Sequence, residues 1–275
     1  MKAWLLSFLL AVQALAAPLP TLELVESVPL ETEAVLDDPE IRQTLEVWLE
    51  LVQGARKSID LEFFYLRHEP GKALQPVVDA LEAAAQRGVR VRVLVDSKFV
   101  KTYPELVGRW SQTQGFAVRP INMAKLAGGV QHAKMMVVDG ERFFLGSQNF
   151  DWTALTHIRE LGVSGHSLGL ARAYSAAFEQ DWSRAGGQAV ESQSPDTSPL
   201  TVLAYGGQVR VFPVFSPADP AWSLGSSEEK ALVDLLRSAR KSVSLQVMDY
   251  SPVIQNYDVP TAGLGYYPTL DQELR

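Results

Sequence analysis

The sequence predicts an α/β fold in which a mixed β-sheet is flanked by helices on both faces, with one complete domain and the start of a second. Between residues 41 and 182, strand-like runs alternate with helix-like runs. The dipeptide Asp139-Gly140 lies between two apolar runs and is typical of a β-hairpin. A helix-then-strand pattern near residue 51 recurs near residue 235, which indicates a duplicated unit.

Each element follows from the spacing of apolar residues and from the glycines beside them. Residues 17–40, rich in acids and prolines, predict an irregular lead-in. The first helix has apolar residues at helical spacing and ends at Gly54, and a later helix ends at Gly88. The predicted order is helix 41–54, strand 58–66, helix 73–88, strand 89–96, helix 103–113, strand 116–121, the hairpin of residues 131–149, and helix 168–182.

The repeat sets the expected domain limits. The run "LVQGARKSIDLEFFY" from Leu51 matches "LLRSARKSVSLQVMD" from Leu235, with Ala-Arg-Lys-Ser identical in both. A fainter match pairs "PVVDALEAA" from Pro76 with "PTLDQELR" from Pro268. We therefore expect a first domain over residues 17–185, a linker and lead-in over 186–228, and an incomplete second domain over 229–275.

The amino terminus is typical of a signal peptide. Lys2 precedes an apolar run over residues 3–12, and Ala14-Leu15-Ala16 is a small-residue cleavage site. The apolar run is short for a membrane span, so residues 1–16 predict export to the periplasm or the extracellular space. An uncleaved amino-terminal membrane anchor is the alternative.

The composition limits the chemistry that the chain can perform. The 275 residues include no cysteine, which excludes disulfides and thiolate metal sites. The net charge of −7 argues against a surface that is basic throughout, although it allows a local basic pocket. No histidine and carboxylate cluster has the spacing of metal ligands, so no metal and no cofactor are expected.

The predicted hairpin brings four polar side chains to one end. His132 and Lys134 are two residues apart, and residues i and i+2 of a strand share a face. After the turn at Asp139-Gly140, the chain returns and carries Ser147 and Asn149 back beside them. A hairpin with merely polar ends is the simpler interpretation of any one of these residues, but their joint spacing favours a functional site.

The four side chains suit phosphate chemistry. A neutral imidazole, here His132, can act as a nucleophile or carry a proton near neutral pH. The ammonium of Lys134 can neutralise phosphate oxygens, and Ser147 and Asn149 can add hydrogen bonds. A carboxylate is needed to hold the second imidazole nitrogen, and Glu160, on an adjacent predicted strand, could provide it.

The complete pattern H-x-K-x4-D-x6-G-S-x-N resembles the HKD motif of the phospholipase D superfamily. Every fixed position is filled, by His132, Lys134, Asp139, Gly146, Ser147 and Asn149. The resemblance extends over residues 22–275 and implies the phospholipase D-like fold and a metal-independent reaction. It also implies a phosphodiester substrate, either a phospholipid or single-stranded nucleic acid.

The resemblance implies a role for each motif residue. His132 would be the nucleophile that forms a phosphohistidine intermediate, Lys134 and Asn149 would bind the phosphate, and Ser147 would assist them. Asp139 is counted with the catalytic set, although its role in the family looks more structural than chemical. Glu160 would orient the nucleophile.

One position departs from the family pattern. The glutamate of the family belongs to an N-x-E element, and Ile158 stands in the asparagine position of that element. One polar contact expected of the element is therefore missing.

"LGSQNFDWTALTHIRELGV" looks most like the animal phospholipase D3/D4 branch and its bacterial relatives, which include 5′-exonucleases of single-stranded nucleic acid. Members of the superfamily pair two HKD motifs, one histidine attacking and the other protonating the leaving group. This sequence holds one, because His68, His157 and His166 are not followed by a lysine two residues later. Three hypotheses remain: a phosphodiesterase, a truncated and catalytically incomplete half-site that binds phosphate without turnover, and a single-motif enzyme that is active only as a homodimer. No obligate protein partner is evident.

Overall fold

The computed structural model describes residues 19–187, 195–217, 224–247, 250, 253–254, 265–266 and 268–275. The predicted signal peptide lies outside these residues, as do residues 188–194 of the predicted linker. Within the described part of the chain, no helix has both the length and the apolar character needed to cross a bilayer.

The chain folds into strands and helices that alternate along most of its length. The strands are β1 (Thr21–Ser27), β2 (Arg42–Gln43), β3 (Ser58–Phe63), β4 (Arg90–Asp96), β5 (Phe116–Ile121), β6 (Lys134–Val138), β7 (Arg142–Gly146), β8 (Glu160–His166), β9 (Leu200–Ala204), β10 (Gly207–Val211), β11 (Val253–Ile254) and β12 (Gly265–Tyr266). The helices are α1 (Glu33–Leu36), α2 (Thr44–Gln53), α3 (Gln75–Gln86), α4 (Ser97–Val100), α5 (Pro104–Trp110), α6 (Met123–Ala127), α7 (Trp152–Thr156), α8 (Leu168–Ala185), α9 (Glu228–Ser238) and α10 (Pro268–Leu274).

One large mixed sheet organises the fold. Its strand order is β10-β9-β1-β8-β7-β6-β3-β4-β5, and the short β2 pairs with β1. Strands β3, β4 and β5 are parallel, as expected where helices connect them. Strands β6, β7 and β8 run antiparallel to their neighbours, because the hairpin turn at Asp139-Gly140 reverses the chain.

Helices cover both faces of this sheet. Trp48 of α2, Val78 of α3 and Trp110 of α5 belong to the core on one face. Phe178 of α8 and Phe143 of β7 belong to the core on the other face. The alternation of side chains along each strand supplies apolar groups to both cores at once. The predicted fold class, a mixed sheet flanked by helices on both faces, is confirmed.

The structure corrects the prediction of an irregular lead-in over residues 17–40. Residues 21–27 form β1, which lies inside the sheet between β8 and β9. The alternation in "TLELVES" was the available signal, and the neighbouring prolines and acids obscured it. Within the predicted lead-in of residues 186–228, β9 and β10 extend the same sheet, since the backbone N–H of Leu203 donates to Pro20 O at 2.7 Å.

The internal repeat reproduces a helix pair but not its strand. Helix α9 packs against α10 as α2 packs against α3. The predicted second strand is wrong, because residues 242–247 form no strand and expose Val243, Leu245 and Val247. The physical reason is pairing: β3 is hydrogen-bonded to β4 on one side and β6 on the other. Among the described residues, no strand lies beside the second copy to satisfy its backbone.

Candidate active site

Four strand ends meet where the predicted site lies. Lys134 at the start of β6 is paired with Phe63 at the carboxyl end of β3. Strand β7 ends at Gly146, which is paired with Gly162 of β8, and β8 begins at Glu160. The sheet register therefore brings the two ends of the motif to the same edge, as the hairpin predicts.

His132 lies in the segment just before β6 and is exposed. Its imidazole meets the ring of Phe64 edge to face, with the ring centroids 4.6 Å apart. Partial burial, followed by the nearby charge of Lys134, lowers the pKa of His132 below its usual value. The imidazole is therefore neutral at pH 7, which is the form that a nucleophile requires.

Lys134 is buried next to the backbone of His132. Its Nζ donates a hydrogen bond to the backbone oxygen of His132 at 2.6 Å and lies 5.4 Å from the centre of the Phe64 ring. Burial lowers the pKa of Lys134 to about 8, and the negative charge of Glu160 opposes that shift. The ammonium thus holds the backbone at His132 and places a positive charge at the site.

The lowered pKa of Lys134 predicts a basic limit to activity. Below pH 8 the side chain is cationic and attracts a phosphate anion, and above pH 8 it loses that charge. We expect kcat/KM for a diester to fall about tenfold per unit above about pH 8. A pH profile from 6 to 10 measures this limit. In Lys134→Arg the guanidinium stays charged, so the fall in kcat/KM above pH 8 should disappear. If the fall persists in that variant, it does not come from Lys134.

Ser147 links the ends of β7 and β8 at the site. Its hydroxyl donates to Glu160 Oε2 and accepts the backbone N–H of Leu161 at 3.1 Å. Burial raises the pKa of Glu160, while the Ser147 hydroxyl and the Lys134 ammonium oppose that rise. Within the described residues, the side-chain oxygen of Asn149 is shielded from solvent and has no hydrogen-bond partner.

The predicted contact between Glu160 and His132 is not a direct one. No hydrogen bond among the described residues joins them, and the carboxylate instead accepts from Ser147 and neutralises Lys134. The role of Glu160 in orienting the nucleophile stays a prediction. Its contacts in the structure are those of a group that raises the pKa of Lys134.

The structure places Asp139 apart from the other predicted members of the catalytic set, and a catalytic role for it stays a prediction. Asp139 lies at the opposite end of β6, whose five residues alone span roughly 16 Å. Its carboxylate accepts the backbone N–H groups of Arg56, Lys57 and Ser58 at 2.7 to 3.2 Å. Asp139 therefore fastens the hairpin turn to the loop that precedes β3, at the end of β6 away from His132.

Gly146 is required by the close approach of β7 and β8. A Cβ at this position would lie 2.8 Å from a Phe144 ring carbon and 3.0 Å from the Gly162 Cα, and would overlap the Gln148 amide. We expect Gly146→Ala to lower the free energy of unfolding by about 1–3 kcal/mol, as overpacking does. Urea denaturation measures the loss. Gly108→Ala, in open space on α5, is the matched control and should be neutral or stabilising.

A buried polar network that the sequence did not indicate anchors the residue before His132. The backbone N–H of Gln131 donates to Asp96 at 2.7 Å, and its side-chain amide donates to Glu62. Burial, and then the neighbouring Asp181, raise the pKa of Glu62 well above its usual value. Burial likewise raises the pKa of Asp181, to about 6, so both carboxyl groups hold a proton more readily than exposed acids do. The only signal of this network in the sequence was Glu62, an acidic residue within the apolar strand β3.

The remaining histidines have other contacts. His68 Nε2 bonds to Gln75 Oε1 at 2.9 Å, and His166 is an exposed residue at the far end of β8. His157 packs edge-on against Trp152 with the ring centroids 4.8 Å apart. Trp152 itself packs against the main core.

A cavity of about 670 Å³ opens beside His132 on the α8 side of the sheet. Apolar side chains such as Met135, Tyr174 and Phe215 line it together with the paired acids Glu62 and Asp181. Among the described residues, no group of three or more histidines and carboxylates is arranged to hold a metal ion. The described chain thus offers an imidazole at the cavity, with an ammonium and a hydroxyl–carboxylate pair on the neighbouring strand ends.

Comparison with known proteins places these residues in a matched domain. Residues 48–182 match the family model described as "Cardiolipin synthase, PLD-like domain". The 5'-3' exonuclease PLD3 of Rattus norvegicus is 32% identical over 275 residues, which cover 92% of this chain and 54% of that protein. Phospholipase D Z of Dictyostelium discoideum is 30% identical, over 93% of this chain and 63% of that protein.

Among solved structures, NucT from Helicobacter pylori matches with a TM-score of 0.49 and 16% identity. That match covers 59% of this chain and 96% of the other. The chain spans about half the length of the PLD3 relatives that it matches.

Proposed function

This chain belongs to the phospholipase D superfamily, and we propose that it is a phosphodiesterase that works through a covalent phosphohistidine at His132. An imidazole nitrogen of His132 attacks phosphorus, and the bond from phosphorus to the leaving alkoxide breaks. Water then attacks phosphorus, the phosphorus–nitrogen bond breaks, and a phosphomonoester leaves. The net reaction consumes one water and converts a diester into a monoester and an alcohol.

The observation that carries this proposal is the pairing of His132 with Lys134. A neutral imidazole stands at the surface, and a buried ammonium two residues away is hydrogen-bonded to the backbone oxygen of the same histidine. The imidazole can attack phosphorus, and the ammonium can stabilise the negative charge that develops on the phosphate oxygens. In this proposal Asn149 and Ser147 add hydrogen bonds to the same oxygens.

The leaving alkoxide needs a proton from a general acid. By resemblance, a second imidazole from another copy of the motif supplies it, either on a longer polypeptide or on a second chain. If two chains combine, kcat per chain should rise with protein concentration. Light scattering over the same concentrations would show whether a dimer forms.

The activity is tested on a simple diester. The full chain is incubated with bis-p-nitrophenyl phosphate, and release of p-nitrophenol is followed at 25 °C. Reaction mixtures are also stopped rapidly and analysed by peptide mass spectrometry. We expect turnover, together with a phosphoryl adduct on the peptide that contains His132. Turnover without any adduct on His132 would rule out the covalent route.

The alternative function is a half-site that binds phosphate groups without turnover. It is favoured by the single H-x-K motif in the sequence. It predicts phosphate binding that depends on Lys134, and no p-nitrophenol at any protein concentration.

The substrate and the location are the finer parts of the proposal. PLD3 of Rattus norvegicus is named as a 5'-3' exonuclease and the Dictyostelium relative as a phospholipase D. We propose single-stranded nucleic acid or a phospholipid as the diester, and export from the cytoplasm directed by residues 1–16. A comparison of short single-stranded DNA with phosphatidylglycerol vesicles separates the two substrates.

A further inference from the structure

We propose that four aromatic side chains beside His132 form a stacking platform for the bases of single-stranded nucleic acid. The aromatic strip consists of Phe64, Tyr65, Phe99 and Tyr103. This proposal deepens the proposed function, because it selects nucleic acid rather than phospholipid as the substrate. It rests on that function, since the strip would bind the same substrate that reacts at His132. Stacking on aromatic rings is the usual way in which proteins hold unpaired bases without reading their sequence.

The rings form a continuous path that starts at the imidazole. Phe64 lies 4.6 Å from His132 and 4.5 Å from Phe99, measured between ring centroids. Phe99 and Tyr103 are nearly parallel, 6.5 Å apart with 14° between their planes. Tyr65 lies between them, 5.6 Å from Phe99 and 5.2 Å from Tyr103. A strand whose phosphate reaches His132 would meet this path with its neighbouring bases.

Two connections bring these rings together at the site edge of the sheet. Phe64 and Tyr65 directly follow β3, and Phe99 and Tyr103 follow β4 within and just after α4. Strands β3 and β4 are parallel neighbours, so their carboxyl ends meet at the edge where β6 begins. This edge is where open sheets of this kind bind ligands.

The strip is only partly buried, unlike the aromatic core behind it. Each of its four rings keeps intermediate exposure, whereas Phe63 and Phe150, in the adjacent core, are fully buried. Apolar rings that could have been covered by the fold are thus left with accessible surface next to a reactive side chain. Stacking of a planar base would remove this surface from water.

The strip is also held in a fixed position. The Tyr65 hydroxyl donates to Asp151 Oδ2 at 2.6 Å. The other oxygen of Asp151 caps α7 by accepting the hydroxyl of Thr153 at 2.6 Å and the N–H of Ala154 at 2.7 Å. Because Tyr65 is tied to a helix cap, little side-chain entropy is lost when a base stacks on it.

Positive charge beside the strip favours a nucleic acid over an acyl chain. Lys98 and Lys101 are exposed on either side of Phe99, and Lys98 Nζ lies 5.9 Å from the Phe99 ring centre. The chain as a whole carries a net charge of −7, so these ammonium groups are a local exception. Cations that alternate with aromatic rings match the alternating phosphates and bases of a single strand. In a duplex the base faces are already stacked, so the platform selects unpaired strands.

The test compares strands with and without bases. Fluorescence anisotropy measures binding of the full chain to a labelled phosphorothioate oligothymidylate, which resists cleavage, and to an equally long phosphorothioate strand without bases. We expect the strand with bases to bind at least tenfold more tightly. Equal binding of the two strands would overturn the proposal.

Substitutions then locate the effect. Phe99→Leu and Tyr103→Leu should each weaken binding of the base-bearing strand about tenfold, or about 1.4 kcal/mol, and leave the strand without bases unchanged. Phe99→Tyr and Tyr103→Phe keep a ring and should bind within about twofold of wild type. Phe212→Leu, another half-exposed ring outside the strip, is the matched control and should have no effect. If one of the two leucine variants fails to fold, binding of the other variant still tests the proposal.

Two results would reverse the assignment. Unchanged binding in folded leucine variants would show that the strip is not used. Tighter binding to phosphatidylglycerol vesicles than to the oligonucleotide, lost in Phe99→Leu, would make the strip a lipid surface. A failure of the proposed function would look different. Base-dependent binding without hydrolysis of bis-p-nitrophenyl phosphate would support the stacking platform and contradict the catalytic role of His132.

Discussion

Replacing His132 with alanine is expected to lower kcat/KM for diester hydrolysis by about a thousandfold or more. The substitution removes the atom that would bond to phosphorus, and no other imidazole in the described residues lies beside Lys134. Loss of a nucleophile costs several orders of magnitude when the remaining site can only bind and polarise the substrate. Initial rates on bis-p-nitrophenyl phosphate, measured at several substrate concentrations, give the change in kcat and KM separately.

The matched control is His166→Ala. His166 is also an exposed histidine, but it lies at the opposite end of β8 from Glu160 and beside Glu141. This variant should keep kcat/KM within about twofold of wild type, as a surface substitution away from the site does. Because His132 is exposed, its loss should leave the thermal unfolding midpoint nearly unchanged. Equal rates in His132→Ala and wild type would remove the assignment of the nucleophile.

Replacing Asp139 with alanine is expected to destabilise the fold by about 2–4 kcal/mol. The carboxylate accepts three backbone N–H groups from residues 56–58, and hydrogen bonds to a charged acceptor are among the stronger ones. Asp139 also has φ +56°, a left-handed conformation that Asp tolerates better than Ala. Urea denaturation at pH 7 measures the loss.

Two further substitutions separate the causes. Asp139→Gly removes the carboxylate but adopts the left-handed conformation freely, so it isolates the contribution of the hydrogen bonds. Asp139→Asn keeps one acceptor oxygen and tolerates that conformation, so it should lose less stability than Ala. Folded Asp139→Asn should retain kcat/KM within a few-fold of wild type. A loss as large as that of His132→Ala in a folded protein would restore Asp139 to the catalytic set.

The same carboxylate predicts a pH dependence of stability. Burial alone would raise the pKa of Asp139, but the three backbone hydrogen bonds and Arg142 outweigh it and lower the pKa. A carboxyl group with a lowered pKa stabilises the fold above the pKa of the unfolded chain, and this contribution is lost as the pH falls through the folded value. Wild type should therefore lose stability below about pH 4, relative to Asp139→Asn, which has no charge to lose there.

Local sequence patterns were enough to predict the fold class and to identify the residues of the motif. Helix α2, strand β4 and the hairpin carry strong periodic patterns with clear boundary residues, so local preferences and tertiary packing agree there. Because strand alternation and the Asp139-Gly140 turn fix the register, the convergence of Lys134 and Ser147 at one sheet edge could also be predicted.

The contacts of these residues depended on the three-dimensional fold. It placed β1 within the sheet, left residues 242–247 without a strand, and brought the backbone N–H groups of residues 56–58 to the carboxylate of Asp139. It also brought Phe64 and Phe99 together beside His132, although they are far apart in sequence. The physical reason is that periodicity reports which face of an element is buried, whereas strand partners and side-chain contacts depend on segments distant in sequence.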